Sequence, residues 1–418
     1  MRRLVARTVP LAGPPDLRVE AGEHGLLWRG ESGGLAAHGV VMRIPLPGGL
    51  SDAAGVAAAG AALRSVEVED RVGLPGCGAV AIGALPFDPA AGGHLVLPRR
   101  VVGRAGDKGW VTTIEPVGGE AVSAAGSAPA QRPECESAGA GTPPDRFVLE
   151  PSIPHAAWRE TVAKAVDHVR RGELDKVVLA RRVDITANRP FVVSDVLERL
   201  VALYPSCMVF SVDGFVGASP ELLIERQGDR VATHPLAGTV ARSGDTRGDE
   251  VLVAGLMASP KARHEHQVVV DFLWDALAPV CEDLEVPDRP SVLSLRNVSH
   301  LATRITGRLA GGDSAPGVLD LVARVHPTPA VAGAPTRPAI SYLQEVEGFD
   351  RGRYGGAVGW VDGRGDGQWA VGIRCAEIAA DRARIYAGNG VVAGSDPADE
   401  LAETQLKLQA LLAALVRP

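Results

Sequence analysis

Long apolar runs are missing from this sequence: nothing in it approaches the ~20 uninterrupted apolar residues that a membrane span requires. The opening MRRLVARTVPLAGPP carries arginines and a few apolar residues, but Pro10 and Pro14 interrupt it before a signal-peptide core develops. Cysteine is scarce as well. Cys77, Cys135, Cys207, Cys281 and Cys375 form no CxxC pair and no metal-type spacing, which is the pattern of reduced thiols and not of a disulfide framework. A cytoplasmic protein with no membrane partner is expected. Basic excess is missing too. The formal charge is −7 and no basic stripe offsets it, which argues against a nucleic-acid binder and asks any anionic substrate to find a local basic pocket. HExxH, a GxSxG elbow, a Walker loop and a strand–GxGxxG–helix unit are all absent. His264 and His266 flank Glu265 but point to other helical faces, so zinc is not suggested. No fixed-period repeat is present.

What is there describes a soluble globular chain. Its 418 residues are 46% hydrophobic and 22% charged, enough for a large core. Residues 1–150 form a first region in which short apolar runs are divided by Gly and Pro, with Ala79–Phe87 and His94–Val102 reading as strands. Near 118–144, Gly, Ala, Ser and Pro dominate, and a flexible loop is expected. Residues 151–418 carry sharper signals: an amphipathic helix over Trp158–Arg171 ending at Gly172, then a β-branched strand over Lys176–Ile185. Helices and strands alternate unevenly after that, and many strands come in pairs. The pattern predicts an α/β or α+β fold with a large mixed or antiparallel sheet.

Some residues in these elements could carry chemistry. In the helix expected over Lys261–Val280, Glu265 shares the inward face of Val269, Phe272, Ala276 and Val280, and a buried carboxylate wants a cation. Glu400, Glu403 and Lys407 flank the apolar stripe of a C-terminal helix. Carboxylates from two helices suit a hard cation such as magnesium, though an ordinary solvated Glu/Lys face is the better explanation of the C-terminal set taken alone. Arg374, in AVGIRCAEI, reads as a strand residue sharing its face with Gly372 and Ala376; it suits a ligand carboxylate or a structural ion pair. Lys176 opens an apolar strand, where it is either a desolvated base or a charge guarding a sheet edge. Gly238, Gly388 and Gly390 either bring backbone N–H groups to an anion or mark turns.

Ten segments, in order, match one family: KVVLARR, ASPELLIE, HPLAGTVAR, RHEHQ, NVSHLATRITG, HPTPAVAGAP, YGGAVGW, VGIRCAEI, YAGNGVV and ELAETQLKL. From about Trp158 to Leu415 the chain resembles the chorismate-utilising enzymes, which include isochorismate, salicylate, anthranilate and aminodeoxychorismate synthases. The resemblance implies one large α/β unit with two stacked, mainly antiparallel sheets flanked by helices and a site deep between them. It implies magnesium held by Glu265 and Glu403 with Glu400 close by. It places Arg374 and Tyr354, assisted by Gly388 and Gly390, on the enolpyruvyl carboxylate of chorismate, and Gly238, Thr239 and Lys407 around the ring carboxylate and metal. His300 lines the site without an assigned role.

Within that family, Lys176 matches the lysine that activates water, with Glu221 as the acid. Ala237 stands where aminodeoxychorismate synthases carry a nucleophilic lysine. Ala330 matches the small residue of isochorismate-forming members, where salicylate-forming ones tend to have threonine. Hydration of chorismate to isochorismate is therefore expected, by a monomer with no obligatory amidotransferase subunit. The rival expectations are a salicylate synthase and a catalytically silent binding protein of the same fold. Menaquinone, siderophore and salicylate routes all stay open for the product. Ala262, where relatives have Asp or Glu, removes a carboxylate near the metal.

Overall fold

A computed structural model of the chain describes residues 3–31, 33–117 and 142–416. Two large sheets organise it. In the 13-stranded sheet, Phe147–Pro151, Lys176–Ala187, Arg382–Val391, Cys375–Ala379, Phe215–Ser219 and Met208–Val212 lie side by side. N-terminal strands then continue it from Leu26–Arg29 outward. The nine-stranded sheet likewise joins Leu222–Gln227, Gly367–Val371 and Ala357–Asp362 to the N-terminal strands Val80–Ala84, Gly93–Leu97 and Met42–Leu46. Among the described strand pairs, Leu4–Pro10 with Glu67–Asp70 is parallel and the rest are antiparallel. The sheets pack face to face: Trp28, Ala180 and Phe210 of the first share a core with Val80, Ile82 and Trp360 of the second. Such burial supplies most of the folding free energy, at about 25 cal/mol per Å² of apolar surface.

The long strand Lys176–Ala187 forms because its β-branched and small residues tolerate burial on both faces, and residues 176 to 181 are all buried. The preceding helix, His155–Arg170, buries Trp158, Val162, Ala165, Val166 and Val169 and gives way to Gly172 at φ 72°. No described helix is long and apolar enough to cross a membrane.

The structure differs from the sequence-based expectation at several breaks. A third sheet of three strands appears, because the chain leaves the nine-stranded sheet at Pro235 and pairs Leu236–Ala241 with Val298–Ala302. The segment 94–102 divides at Pro98 between two sheets, as Gly93–Leu97 and Arg100–Ala105. The helix over Lys261–Val280 is Pro260–Leu277 followed by a 3₁₀ turn, since Pro279 cannot donate to the helical ladder. Arg374 is not a strand residue. It sits at φ 50° between Gly367–Val371 and Cys375–Ala379, where the chain crosses from one large sheet to the other. From 118 to 141 the segment expected to be a flexible loop lies outside the described residues, as does Cys135.

Candidate active site

Two neighbouring crossovers between the large sheets build one wall of a cavity. Ser219–Pro220–Glu221 carries the chain from Phe215–Ser219 in the first sheet to Leu222–Gln227 in the second, and Gly372–Arg374 carries it back. The two are tied together: the Val371 N–H donates to the Glu221 carbonyl at 3.1 Å and the Ser219 hydroxyl donates to the Val371 carbonyl at 2.6 Å. A crossover residue has left its ladder, so its side chain can aim between the sheets. The cavity there holds about 650 Å³ of atom-free space, mouth included. Its lining includes Glu221, Gly238, Thr239, Glu265, His300, Ala330, Tyr354, Arg374, Gly388, Gly390 and Lys407.

Charge on this wall is set by burial. Glu221 is 3% exposed, and desolvation pushes its carboxyl up to about 8, opposed by a backbone hydrogen bond from Leu236 and by Lys176 and Lys407. It is therefore a protonated acid at neutral pH. Burial also lowers the Arg374 guanidinium, and its Nη1 is buried without a hydrogen-bond partner. An orphaned cationic donor in a cavity is costly unless an anion completes it. Arg374 Nη2 faces His300 Nε2 at 3.3 Å, and His300 Nδ1 faces the Thr239 hydroxyl at 3.1 Å. A guanidinium can only donate, so Nε2 accepts and the imidazole proton sits on Nδ1. Burial, then Arg374 and Lys407, hold His300 well below its ordinary pKa, so it stays neutral. Its Nε2 thereby accepts from Arg374 Nη2 and braces that guanidinium. Tyr354 is pushed up by burial, which keeps its hydroxyl a donor, and its ring stacks on Tyr386 at 4.9 Å.

Lysine–carboxylate pairs form the other part of the site. Lys176 is fully buried behind the cavity wall, with Nζ 3.2 Å from Glu265 Oε1. Lys407 Nζ lies 2.6 Å from Glu403 Oε1 and donates to the Gly388 carbonyl at 2.9 Å. Glu400 turns away from the cavity: it is 2% exposed and receives Lys261 Nζ at 2.9 Å and the Asn389 amide at 2.6 Å. Burial pulls the Lys261 ammonium down, but Glu400, Glu265 and Glu403 outweigh it and hold it above the ordinary lysine value. The structure thus gathers Glu265, Glu403 and Glu400 around Lys261, with Glu400 the one bonded to it directly and Glu265 the one that lines the cavity. Among the described residues no three His, Cys, Asp or Glu side chains converge as a ready-made metal cage. The oxygen-only donors of Glu265 and Glu403, from two helices and each with an Oε1 facing a lysine, still fit a hard cation completed by substrate and water oxygens.

The glycines have steric reasons. A Cβ on Gly390 would meet Glu265 Oε1 at 2.2 Å and Lys176 Cε at 2.6 Å, and one on Gly388 would meet the Tyr354 hydroxyl at 2.9 Å. The ladder adds a second reason. Val178 opposite Gly390 directs both its N–H and its C=O away from the Arg382–Val391 strand, so this is a non-hydrogen-bonded pair. Gly390, and by alternation Gly388, therefore points its backbone polar groups to the side where the Cys375–Ala379 strand has already ended. Gly238 takes φ 71° at an irregularity opposite His300, and its Cβ would meet the Ala262 methyl at 3.0 Å. A carboxylate at 262 would be pressed into this apolar contact with Leu256 and Leu301.

Sequence reasoning missed Tyr386, Asn389, Lys261 and the Arg351–Glu347 pair. Only Tyr386 had a usable signal, since it precedes Gly388 and Gly390 at strand spacing.

Comparison with known proteins agrees with this geometry. A family profile described as "Chorismate binding enzyme" matches residues 35–416. A Mycobacterium tuberculosis protein, provisionally named isochorismate synthase MenF, is 40% identical over 375 residues, covering 86% of this chain and 90% of its own. Isochorismate synthase DhbC of Bacillus subtilis is 36% identical over 345 residues, or 80% of each chain. The crystal structure of a Bacillus anthracis DhbC, also provisionally assigned as a 2,3-dihydroxybenzoate-specific isochorismate synthase, superposes with a TM-score of 0.79 at 31% identity. The match spans 96% of this chain and 98% of that one. With a profile covering most of its length and a 40% identical relative aligned over 86% of it, the chain belongs to the chorismate-binding enzymes.

Proposed function

We propose that the protein is an isomerase that converts chorismate to isochorismate, adding water at C2 with loss of the C4 hydroxyl. One observation carries the mechanism: a protonated acid lines the cavity, and a lysine from the opposite sheet stands directly behind its wall, 3.2 Å from the lining Glu265. Glu221 arrives on the crossover into the nine-stranded sheet, and Lys176 from the 13-stranded sheet. Arg374 and the Tyr354 hydroxyl hold the enolpyruvyl carboxylate, which supplies the anion that Arg374 Nη1 lacks. Gly238, Thr239 and Lys407 surround the ring carboxylate. Lys176 Nζ takes a proton from water as the water oxygen bonds to C2. The diene shifts, the C4–oxygen bond breaks, and Glu221 gives its proton to the departing hydroxide. One water enters and one leaves; exchange with solvent resets both side chains.

Magnesium belongs to the proposal, held by Glu265 and Glu403, with Glu400 holding the two helices by its bond to Lys261. When bound, it would offset the charge of the ring carboxylate and polarise the diene. Water as nucleophile needs no amidotransferase subunit, and Ala237 leaves no lysine there to attack. Ala330 leaves the wall without a hydroxyl beside the product. A cytoplasmic monomer completes the proposal.

Incubation of purified protein with chorismate and magnesium, with products resolved by chromatography, tests it. Isochorismate alone supports the assignment. Salicylate with pyruvate makes the protein a salicylate synthase, and anthranilate formed only with ammonia overturns the choice of water. Tight chorismate binding without turnover makes it a silent binding protein.

A further inference from the structure

The strand that carries Lys176 has a gap along its outer edge. Gly333–Ala334 pairs with it at Lys176 and Val177, and Phe147–Pro151 pairs with it from Val183 to Ala187. Between them, Val178 and Ala180 point polar backbone groups outward, in a region where burial makes unmade hydrogen bonds expensive. Val178 N–H finds the Ala332 carbonyl at 2.9 Å. Two side chains complete the rest. Arg351 Nη2 donates to the Val178 carbonyl at 2.5 Å, and Glu347 Oε1 accepts the Ala180 N–H at 2.7 Å. The two side chains are each 3% exposed and bonded to one another through both carboxylate oxygens. Arg351 Nη1 reaches further, to the Val331 carbonyl at 2.7 Å, on the loop that places Ala330 in the cavity wall. The Phe87 ring covers the guanidinium at 4.3 Å.

We infer that Arg351, oriented by Glu347, is a positioning residue of the active site: its fork replaces a missing strand and locks the Lys176 strand to the Ala330–Val331 loop. It does not line the cavity itself, but the two carbonyls it holds belong to lining residues, Val178 and Val331. Its effect passes through Val178, two residues from Lys176 on the same face, so it sets where the lysine amine stands relative to the ring. This rests on the hydration mechanism proposed above. Arginine is required because one planar group must satisfy two carbonyls and a carboxylate at once, which a lysine ammonium on a single flexible stem cannot do.

The test is Arg351→Lys in the full chain, with steady-state kinetics and amide hydrogen exchange. The kcat should fall about 100-fold from misplaced chemistry, far more than KM rises, because Arg374 and His300 are untouched and Arg351 reaches the carboxylate site only through the Tyr354 ring, 5.8 Å away. Exchange at Val178 and Ala180 should quicken, while the distant Leu4–Pro10 strand keeps its protection. A folded variant with wild-type kcat overturns the inference. So does a variant whose exchange rises uniformly while KM and kcat change together, since that is a structural loss only. Should Arg351→Lys not fold, Glu347→Gln carries the same test with the same two outcomes, because its amide nitrogen opposes Arg351. Wild-type protein that makes no isochorismate overturns the function, whereas exchange at Ala180 still decides whether the pair replaces the strand.

Discussion

The two parts of the cavity solve opposite electrostatic problems. On the crossover wall, Arg374 has a buried donor with no partner, and Glu221 is driven to its neutral form by desolvation. On the helical side, Glu265, Glu403 and Glu400 each face a lysine. One part is left incomplete so that a substrate anion completes it. The other sets each carboxylate against a lysine, Lys176 by charge alone since its Nζ makes no hydrogen bond, so that a divalent cation must compete with lysines already in place. Incompleteness costs stability and is tolerated where binding restores it.

The largest expected effect comes from the helical side. Lys176→Ala should lower kcat by about 10⁴-fold while chorismate binding, measured by calorimetry, persists. Retained turnover would remove the base and leave Lys176 as a mere counter-ion for Glu265. On the crossover wall, Glu221→Gln should cost about 10³-fold in kcat with KM little changed, since the amide keeps the shape but has no acidic proton. A variant as active as wild type would show that the leaving hydroxyl needs no proton from this residue. Arg374→Met should raise KM about 100-fold, the size of a lost charge-assisted pair. Because the methionine also removes a buried orphan charge, its melting temperature should rise, not fall; a drop would contradict the incomplete-wall description.

The pH dependence separates the two parts with a smaller effect. Glu221 must be protonated to act, so kcat should fall about tenfold per pH unit above its value of about 8. The sign for stability agrees. Between the ordinary 4.5 and about 8 the folded state binds a proton that the unfolded chain does not, so stability declines as pH rises through that window. Glu221→Gln should flatten both profiles. The smallest effect is expected from Glu400→Gln. It keeps acceptance from Asn389 but loses the Lys261 ion pair, so magnesium-induced thermal stabilisation should weaken only about threefold in apparent affinity, within ~0.7 kcal/mol. Complete loss of the magnesium response would promote Glu400 to a direct ligand.

How legible these features were differs residue by residue. Helical phase put Glu265 beside Val269, but the expected stripe was off: the buried face runs through Ala262, His266, Val269, Leu273 and Leu277 and leaves Glu265, Phe272, Ala276 and Val280 only partly buried. The strand beginning at Lys176 was visible in its β-branched run. Its edge was not: what completes it comes from residues 167 and 173 positions away, and Arg351 looked like any arginine beside a glycine. Arg374 was misread as a strand residue for the same reason. VGIRCAEI alternates plausibly enough for a continuous strand, and only the registers at Ala370 and Ala376 show that its two halves belong to different sheets.

Composition, periodicity and ten ordered segments were sufficient to determine, without coordinates, that this is an α/β chorismate-binding chain with lysine, acid and carboxylates available for the chemistry. Local patterns can do this because they report which residues want burial and which backbone each tolerates. Only the tertiary structure decided how each carboxylate is partnered. It paired Glu400 with Lys261 and Asn389, left Arg374 Nη1 without a partner and raised Glu221 to about 8. Desolvation and pairing are properties of what surrounds a group in space, and no spacing along the chain encodes them.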